Sequence, residues 1–380
     1  MKIVFVQTSP SQLDAPFYRK LSAALNGRIA VVVWNDYGKR RNRIDPELGV
    51  VPEFPEMNGY QSSWVDKRVS RLFSLWRLIM KQTPKMVILQ DQTWLERIFL
   101  SVLLRLSGVN VGVRSDKNLV SDNVRVGLKQ QVEAVVVRIF FDFLVPVSDL
   151  TSSYYMWPSN RVSINFPYCS DDEKFSPGDA KALAVRSEVR QRNKIPLGSK
   201  VFLSVLKFSD RENPRAVIES FRILSRLDPS TWLIMVGSGP LLDQEKGWVR
   251  NNNITNVLFT GYIPYVDLQD FFFAADVYIH LPKTGPWEVS VPDALLAGMG
   301  IIATKTVGSA ISLLRDNLSR YLVDAGDVIG TSERMRELCE IDDIKLSFLP
   351  ARKIVNECFS VSSVVKRWES WLQTDEERHR

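Results

Sequence analysis

Twice along this chain, short apolar runs alternate with amphipathic stretches long enough for a helix, and no other feature limits the possible folds as much. In the first 170 residues the runs are KIVFVQ (2–7), IAVVVW (29–34), KMVILQ (85–90), VNVGVR (109–114), FLVPVS (143–148) and RVSINF (161–166). Between them lie helical patterns such as APFYRKLSAALNG (15–27) and LERIFLSVLLRLSG (95–108), the second ending at Gly108 as helices commonly do. A polar interruption at 170–200 breaks the rhythm and reads as a linker. The pattern then restarts with strands at 201–207, 232–237, 256–261, 277–281 and 301–304, and helices at 214–227, 241–252, 266–275 and 290–297. Apolar strands separated by helices imply parallel sheets covered on both faces. The expected fold class is therefore α/β, with two doubly wound parallel-sheet domains in series and a ligand at the carboxyl ends of the strands, in the cleft between them.

Composition removes several function classes. The three cysteines, Cys169, Cys339 and Cys358, are far apart, so neither a disulfide framework nor a cysteine-rich zinc site is expected, and a reducing cytosol is the default. Only two histidines, His280 and His379, are present, which argues against zinc chemistry and a Ser-His-Asp hydrolase. MKIVFVQTSP does not read as a signal peptide, and no stretch is apolar enough to span a bilayer.

The net charge is +6, which leaves anionic partners open. YGKRRNR (37–43) is a compact basic loop. Residues 64–85 read as one helix, with Val65, Val69, Leu72, Phe73, Trp76, Ile79 and Met80 on one side and Lys67, Arg68, Arg71, Arg77 and Lys81 around the rest. Such a helix either docks on a core or lies on an anionic lipid surface. No aromatic-basic reader motif accompanies the charge, so nucleic acid is not expected as a partner.

Three loops at strand ends in the second half carry groups suited to a diphosphate. Lys207 and Arg211 follow the strand 201–207 and can bracket two phosphates. Gly237 and Gly239, in VGSGP, allow close backbone approach but equally make a tight turn. In GPWEVSVPDALLAGMG (285–300), a helix start near Val289, Ser290 and Val291 presents free amides, with Pro292 at an early helical position and Asp293 free to accept from ribose or sugar hydroxyls. His280 is either a satisfied histidine at the end of a buried strand or a phosphate contact. Trp287 either shapes its loop or stacks on a sugar.

Taken in order, VLKFSDRENPRAVIESF (205–221), WLIMVGSGPL (232–241), NVLFTGYIPYVDLQDFFFAADVYIHLP (256–282) and PWEVSVPDALLAGMGIIATKTVGSA (286–310) resemble retaining glycosyltransferase family four, the GT-B enzymes that use nucleotide sugars. FPYCSDDEKFSP (166–177) looks like that family's exit from the first domain, and 9–25 is similar to the first loop and helix of some members. The resemblance implies two Rossmann-like domains facing across a cleft. These are an acceptor-side domain over 1–170, a linker at 171–199 and a donor-binding domain over 200–358, with a C-terminal helix at 360–376 packing back on the first. It implies transfer of a sugar from a nucleotide diphosphate to a saccharide or lipid-linked saccharide, with retained configuration, in cell-surface glycan assembly. No cofactor or metal is implied, because Lys207, Arg211 and the helix start neutralise the leaving diphosphate. A cytoplasmic location follows, on the inner face of an anionic membrane if the acceptor is lipid-linked.

Carried onto this chain, the donor-binding positions are Gly237, Gly239, Gly285, Pro286, Trp287, Val289, Ser290, Val291 and Asp293, and the catalytic ones Lys207, Arg211 and Glu288. On the acceptor side, the polar candidates near strand ends are Gln12, Gln90, Asp91, Gln92 and Asp116. Three departures stand out. The family's two glutamates, separated by seven residues, fall on Gly285 and Asp293, while Glu288 stands where glycine is usual. Glu212 takes the position of a lysine, leaving Arg211 beside it as the substitute. The histidine that many members place in the first domain has no counterpart here. A non-catalytic binding or scaffold subunit, or an epimerase or hydrolase on the same fold, is the competing expectation.

Overall fold

Parallel strands buried on both faces must be apolar at nearly every position, which is why these runs were legible. The computed structural model describes residues 2–8, 10–34, 44–51, 57–65, 71–90, 94–120 and 127–378, with the side chains of Arg71, Trp94 and 375–378 left aside. The basic loop 37–43, Lys67, Arg68, Val69, Asp91 and Gln92 lie outside the described residues. The chain divides into two units: Met1–Asn42, Phe54–Cys169 and Phe359–Arg380 form the first, and Arg43–Glu53 with Ser170–Cys358 the second.

The first unit holds β1 (Ile3–Gln7), β2 (Ile29–Val33), β3 (Gln61–Trp64), β4 (Met86–Leu89), β5 (Asn110–Ser115) and β6 (Phe143–Pro146). All pair in parallel, in the order β3-β2-β1-β4-β5-β6. Val4 sits between Ala30 and Val87 in the register. On one face, Phe5, Phe17, Tyr18, Phe166 and Trp368 form an aromatic core, with Phe17 and Phe166 ring centroids 4.2 Å apart. Trp368 brings the C-terminal helix, Val361–Arg378, onto the helix Ala15–Ala24, and its indole N–H donates to the Asn165 carbonyl at 3.1 Å. On the other face, the helices Arg71–Met80, Trp94–Leu106 and Leu128–Phe140 cover a second core through Leu75, Ile79, Leu100, Leu104, Ala134 and Val137.

Two local expectations change. RVSINF is not a strand; it contributes a single bridge, Ser163 to Leu144. The helix expected over 64–85 starts only at Arg71 among the described residues, and Gln61–Trp64 is the edge strand β3. QSSW is polar because an edge strand of this kind is only half covered, so it has no apolar run to betray it.

The second unit holds β7 (Val201–Val205), β8 (Trp232–Val236), β9 (Val257–Gly261), β10 (Val277–His280), β11 (Gly300–Thr304) and β12 (Leu322–Val323), in the order β12-β11-β10-β7-β8-β9. The polar stretch 171–199 folds as the helices Asp172–Phe175 and Asp179–Arg192 of this unit. The second of these lacks an apolar stripe because arginines anchor it. Buried Arg190 donates to Asp276 at 2.9 Å and to the carbonyls of Ala274, Leu197 and Ser199, and Arg186 reaches the other Asp276 oxygen at 2.7 Å. In each sheet the strand order reverses beside the first strand, between β1 and β4 and between β7 and β10. These reversals are where open α/β sheets leave a crevice at their carboxyl ends.

Candidate functional site

In the second unit, that reversal sets the loop after β7 beside the loop after β10. The Lys283 amide donates to the Arg211 carbonyl at 2.8 Å, and Arg211 Nη1 donates to the Thr284 carbonyl at 3.2 Å. Asn213, at φ 53°, turns the chain into the helix Pro214–Leu227 with Pro214 at its start. The second loop ends at the helix Ser290–Leu296.

Around this junction the structure gathers Lys207, Arg211, Glu212, His280 and Glu288. Arg211 is hydrogen-bonded to Glu212 and lies 3.6 Å from Glu288 Oε1. His280 Nε2 is 3.7 Å from Glu288 Oε2 and 4.0 Å from Glu212 Oε2. Its ring is 2% exposed and neither nitrogen has a hydrogen-bond partner. Burial, with Arg211 nearby, pulls the imidazole down to about 3, so it is neutral. Glu288 is pushed up to about 8, first by burial and then by Glu212, against the pull of Arg211. Burial likewise raises Glu212. Crowded by Glu212 and only partly open to water, the Glu288 carboxyl is biased toward its protonated form.

The glycines explain how the cluster fits. A Cβ on Gly285 would lie 2.7 Å from Glu288 Oε1, so the Glu288 carboxyl fills the space where a side chain at 285 would begin. Gly285 in turn is pinned by the Gly308 amide on its carbonyl at 3.1 Å. After β8, Gly239 has φ 152°, and a Cβ there would meet the carbonyl oxygens of Glu47 and Phe208 at 2.6 and 2.7 Å. Gly237, at φ 136°, is pressed as tightly on the Leu206 carbonyl. Gly239 does more than turn the chain: it lets the segment around Glu47 lie against the loop.

That segment is barely marked in the sequence. Asp45 accepts the Glu47 and Leu48 amides on Oδ1, which makes a tight turn, and its Oδ2 lies 3.2 Å from Lys207 Nζ. Glu47 Oε2 lies 3.0 Å from the same nitrogen, and Oε1 lies 3.7 Å from Arg211 Nε. Both cations singled out for a diphosphate therefore face carboxylates of the chain itself. The only local signal was an acidic turn, DPELG, 160 residues from Lys207.

The remaining donor-side positions are divided. Val289 caps the Ser290–Leu296 helix, its carbonyl accepting the Asp293 amide at 3.1 Å, and Ser290 lies beside Tyr278. Val291 and Trp287 are buried, and Pro286 is partly covered. Asp293 belongs to a different neighbourhood from Glu288: it is 2% exposed, faces Ser170 and Lys174, and its Oδ1 has no hydrogen-bond partner. Burial pushes it up to about 8, against Ser170 and Lys174. Lys174 is pulled down by burial, donates to the Tyr265 carbonyl and stacks 3.6 Å from the centroid of that ring.

In the first unit, Gln12, Gln90 and Asp116 follow the carboxyl ends of β1, β4 and β5. Gln90 is buried and committed: it donates to Gln7 at 3.0 Å and accepts from Arg114 at 2.9 Å. Arg114, which the sequence did not single out, is the centre of that network, paired with both oxygens of Asp14 at 2.9 and 3.0 Å and stacked 3.8 Å from the Phe166 centroid. Asp116 is partly exposed, 3.5 Å from the Tyr168 hydroxyl, and Gln12 is partly exposed in the turn before the first helix.

Known proteins resemble this chain in fold and over part of its sequence. Residues 185–348 match the family model described as Glycosyl transferases group 1. The chain is 28% identical over 158 residues to an alpha-monoglucosyldiacylglycerol synthase of Streptococcus pneumoniae, covering 41% of this chain and 35% of that one. It is 24% identical over 143 residues to a mannosylfructose-phosphate synthase of Agrobacterium fabrum, covering 35% and 30%. The chain thus spans about a third of the length of the curated relatives it matches. Among solved structures, Alr3699/HepE from Anabaena in complex with UDP superposes with a TM-score of 0.74 at 14% identity, over 98% of this chain and 100% of that one. The same protein was also solved with UDP-glucose. The two Rossmann-like α/β units expected from the sequence are the GT-B fold, and the second unit carries the group 1 glycosyltransferase match.

Proposed function

We propose that this chain is a glycosyltransferase that moves a sugar from a nucleotide diphosphate to a saccharide or lipid-linked acceptor at an anionic membrane, retaining configuration and without a metal ion. The observation that carries this is the Lys207–Arg211–Glu288 group at the β7–β10 reversal. Lys207 and Arg211 are the cations for the leaving diphosphate, and preorganised positive charge at a developing anion lowers a barrier more than it strengthens ground-state binding. Glu288 takes over at the sugar from the missing acid at 285. Its carboxyl occupies the space that Gly285 leaves open, and a carboxyl that keeps its proton near neutrality can donate to a sugar hydroxyl as well as accept from one. Asp293, with an unpartnered buried oxygen, is the acceptor for ribose hydroxyls. Gln12 and Asp116 remain the exposed acceptor-side candidates.

Among the described residues there is no group of three or more His, Cys, Asp or Glu that could hold a metal ion. No helix among them is long and apolar enough to cross a membrane, so contact with a lipid-linked acceptor would be at a surface. Calorimetry with UDP-, GDP- and ADP-sugars tests the proposal. We expect one of them, with UDP-sugars the first to try, to bind wild type and to bind Lys207→Ala at least about tenfold more weakly. No binding by any sugar nucleotide would overturn it; binding without turnover on any acceptor would leave a binding subunit.

A further inference from the structure

The outer side of one helix layer in the first unit is apolar where a solvent-facing layer should be polar. The helix Trp94–Leu106 exposes Leu95, Phe99, Val102 and Leu106, two of them to 81%. The neighbouring helix Leu128–Phe140 exposes Leu128, Val132, Val135 and Ile139. Both sets follow the same spacing of i, i+4, i+7 and i+11, which draws one straight stripe along each helix. The stripes lie side by side, because Arg105 of the first helix donates to the Ile139 carbonyl of the second at 2.9 Å. On the third helix of the layer, Phe73 is exposed as well, with Arg77 5.9 Å from its ring centroid.

The fold does not need these side chains. The sheet is already covered by the opposite sides of the same helices, through Leu100, Leu104, Ala134 and Val137. A helix apolar on both sides is buried on both sides, and a contiguous exposed apolar face marks a docking surface. The charges around it indicate what docks. The exposed charged side chains described on this layer are basic: Arg77, Arg105 and Lys129, with Lys81 just beyond Met80. Its acids are turned in, paired or partly covered: Glu133 is buried against Lys117 at 2.7 Å, Asp142 pairs with Arg105 at 3.1 Å, and Glu96 is only partly exposed, which leaves Arg77, Lys81 and Lys129 as the described cations not answered on this layer. Apolar stripes bordered by cations fit an anionic bilayer, where the stripes enter the acyl boundary and the cations meet headgroups. A two-fold contact between copies would instead set these cations against one another.

We propose that this face, not the 64–85 segment taken alone, is where the protein lies on an anionic lipid surface, presenting the first unit to a lipid-linked acceptor. The inference rests on the acceptor class proposed above. The test is vesicle sedimentation of the full chain with phosphatidylcholine alone and with phosphatidylcholine containing phosphatidylglycerol, for wild type and Phe99→Ser/Val135→Ser. Wild type should pellet with the anionic vesicles, and the double variant should bind them about tenfold or more weakly, with unchanged circular dichroism and unchanged UDP affinity. Lys129→Gln should weaken binding to a smaller, salt-sensitive extent. Equal pelleting of wild type and double variant overturns the proposal. So does wild type staying in the supernatant, or a dimer in analytical ultracentrifugation that the double variant dissolves without any vesicle binding. Wild type that binds UDP but no anionic vesicles removes this face alone, whereas wild type that binds vesicles but no UDP removes the donor reading and leaves the face standing.

Discussion

At Lys207 and Arg211 the chain answers its own charges. On the proposed reading Asp45 and Glu47 occupy the cations meant for a diphosphate, and all three ion pairs are partly open to water. Ion pairs of this exposure are each worth about 0.2–1 kcal/mol. A donor must displace them, so Asp45→Asn/Glu47→Gln should bind UDP roughly three- to tenfold more tightly, read by calorimetry. Unchanged or weaker binding would show that the acids help the donor instead. Glu288 gives a pH test. Its carboxyl is held up at about 8 in the fold against 4.5 in an unfolded chain. Ionisation is therefore disfavoured by folding, and Glu288 costs stability increasingly as pH rises from its unfolded value through about 8. Glu288→Gln should raise stability at pH 7 by roughly 1–3 kcal/mol, lose that advantage in acid, and lower sugar transfer. A melting temperature equal to wild type at both pH values would exclude the raised carboxyl. Lys207, Arg211 and the glycines were legible because they sit just past apolar strands. Asp45, Glu47 and Arg114 were not, since their partners lie far along the chain.

Elements anchored by apolar stripes announced themselves; elements anchored by charge did not. The helix Pro214–Leu227 was read to the residue, because Pro214 starts it and its inner face is apolar. The helix Asp179–Arg192 looked like a linker, because its anchors are Arg186 and Arg190 on Asp276. Asp276→Asn leaves the fully buried Arg190 without its counter-charge and should cost about 3–5 kcal/mol in urea denaturation. A loss under ~1 kcal/mol would mean that the carbonyls around Arg190 suffice. The same logic explains β3, where a half-covered edge strand carries no apolar run, and RVSINF, where an apolar alternation lacks a strand partner beyond one bridge.

For the whole molecule, donor binding should appear as stability. At about 100 times its dissociation constant, UDP should stabilise the fold by about 2.7 kcal/mol, and EDTA should leave that gain unchanged if side chains alone neutralise the diphosphate. A gain abolished by EDTA would require a metal. Most of the architecture was determined by sequence alone: two series of buried parallel strands, their covering helices, and the loops that follow them. Burial imposes a period on neighbouring residues, and a period can be read locally. What only the tertiary structure decided was the company each charged group keeps. The strand reversal between β7 and β10 set Arg211 beside Glu288, Gly285 made room for that acid, and a turn 160 residues upstream brought Asp45 and Glu47 onto Lys207. Such pairings depend on the path of the chain through space and leave no periodic mark along it.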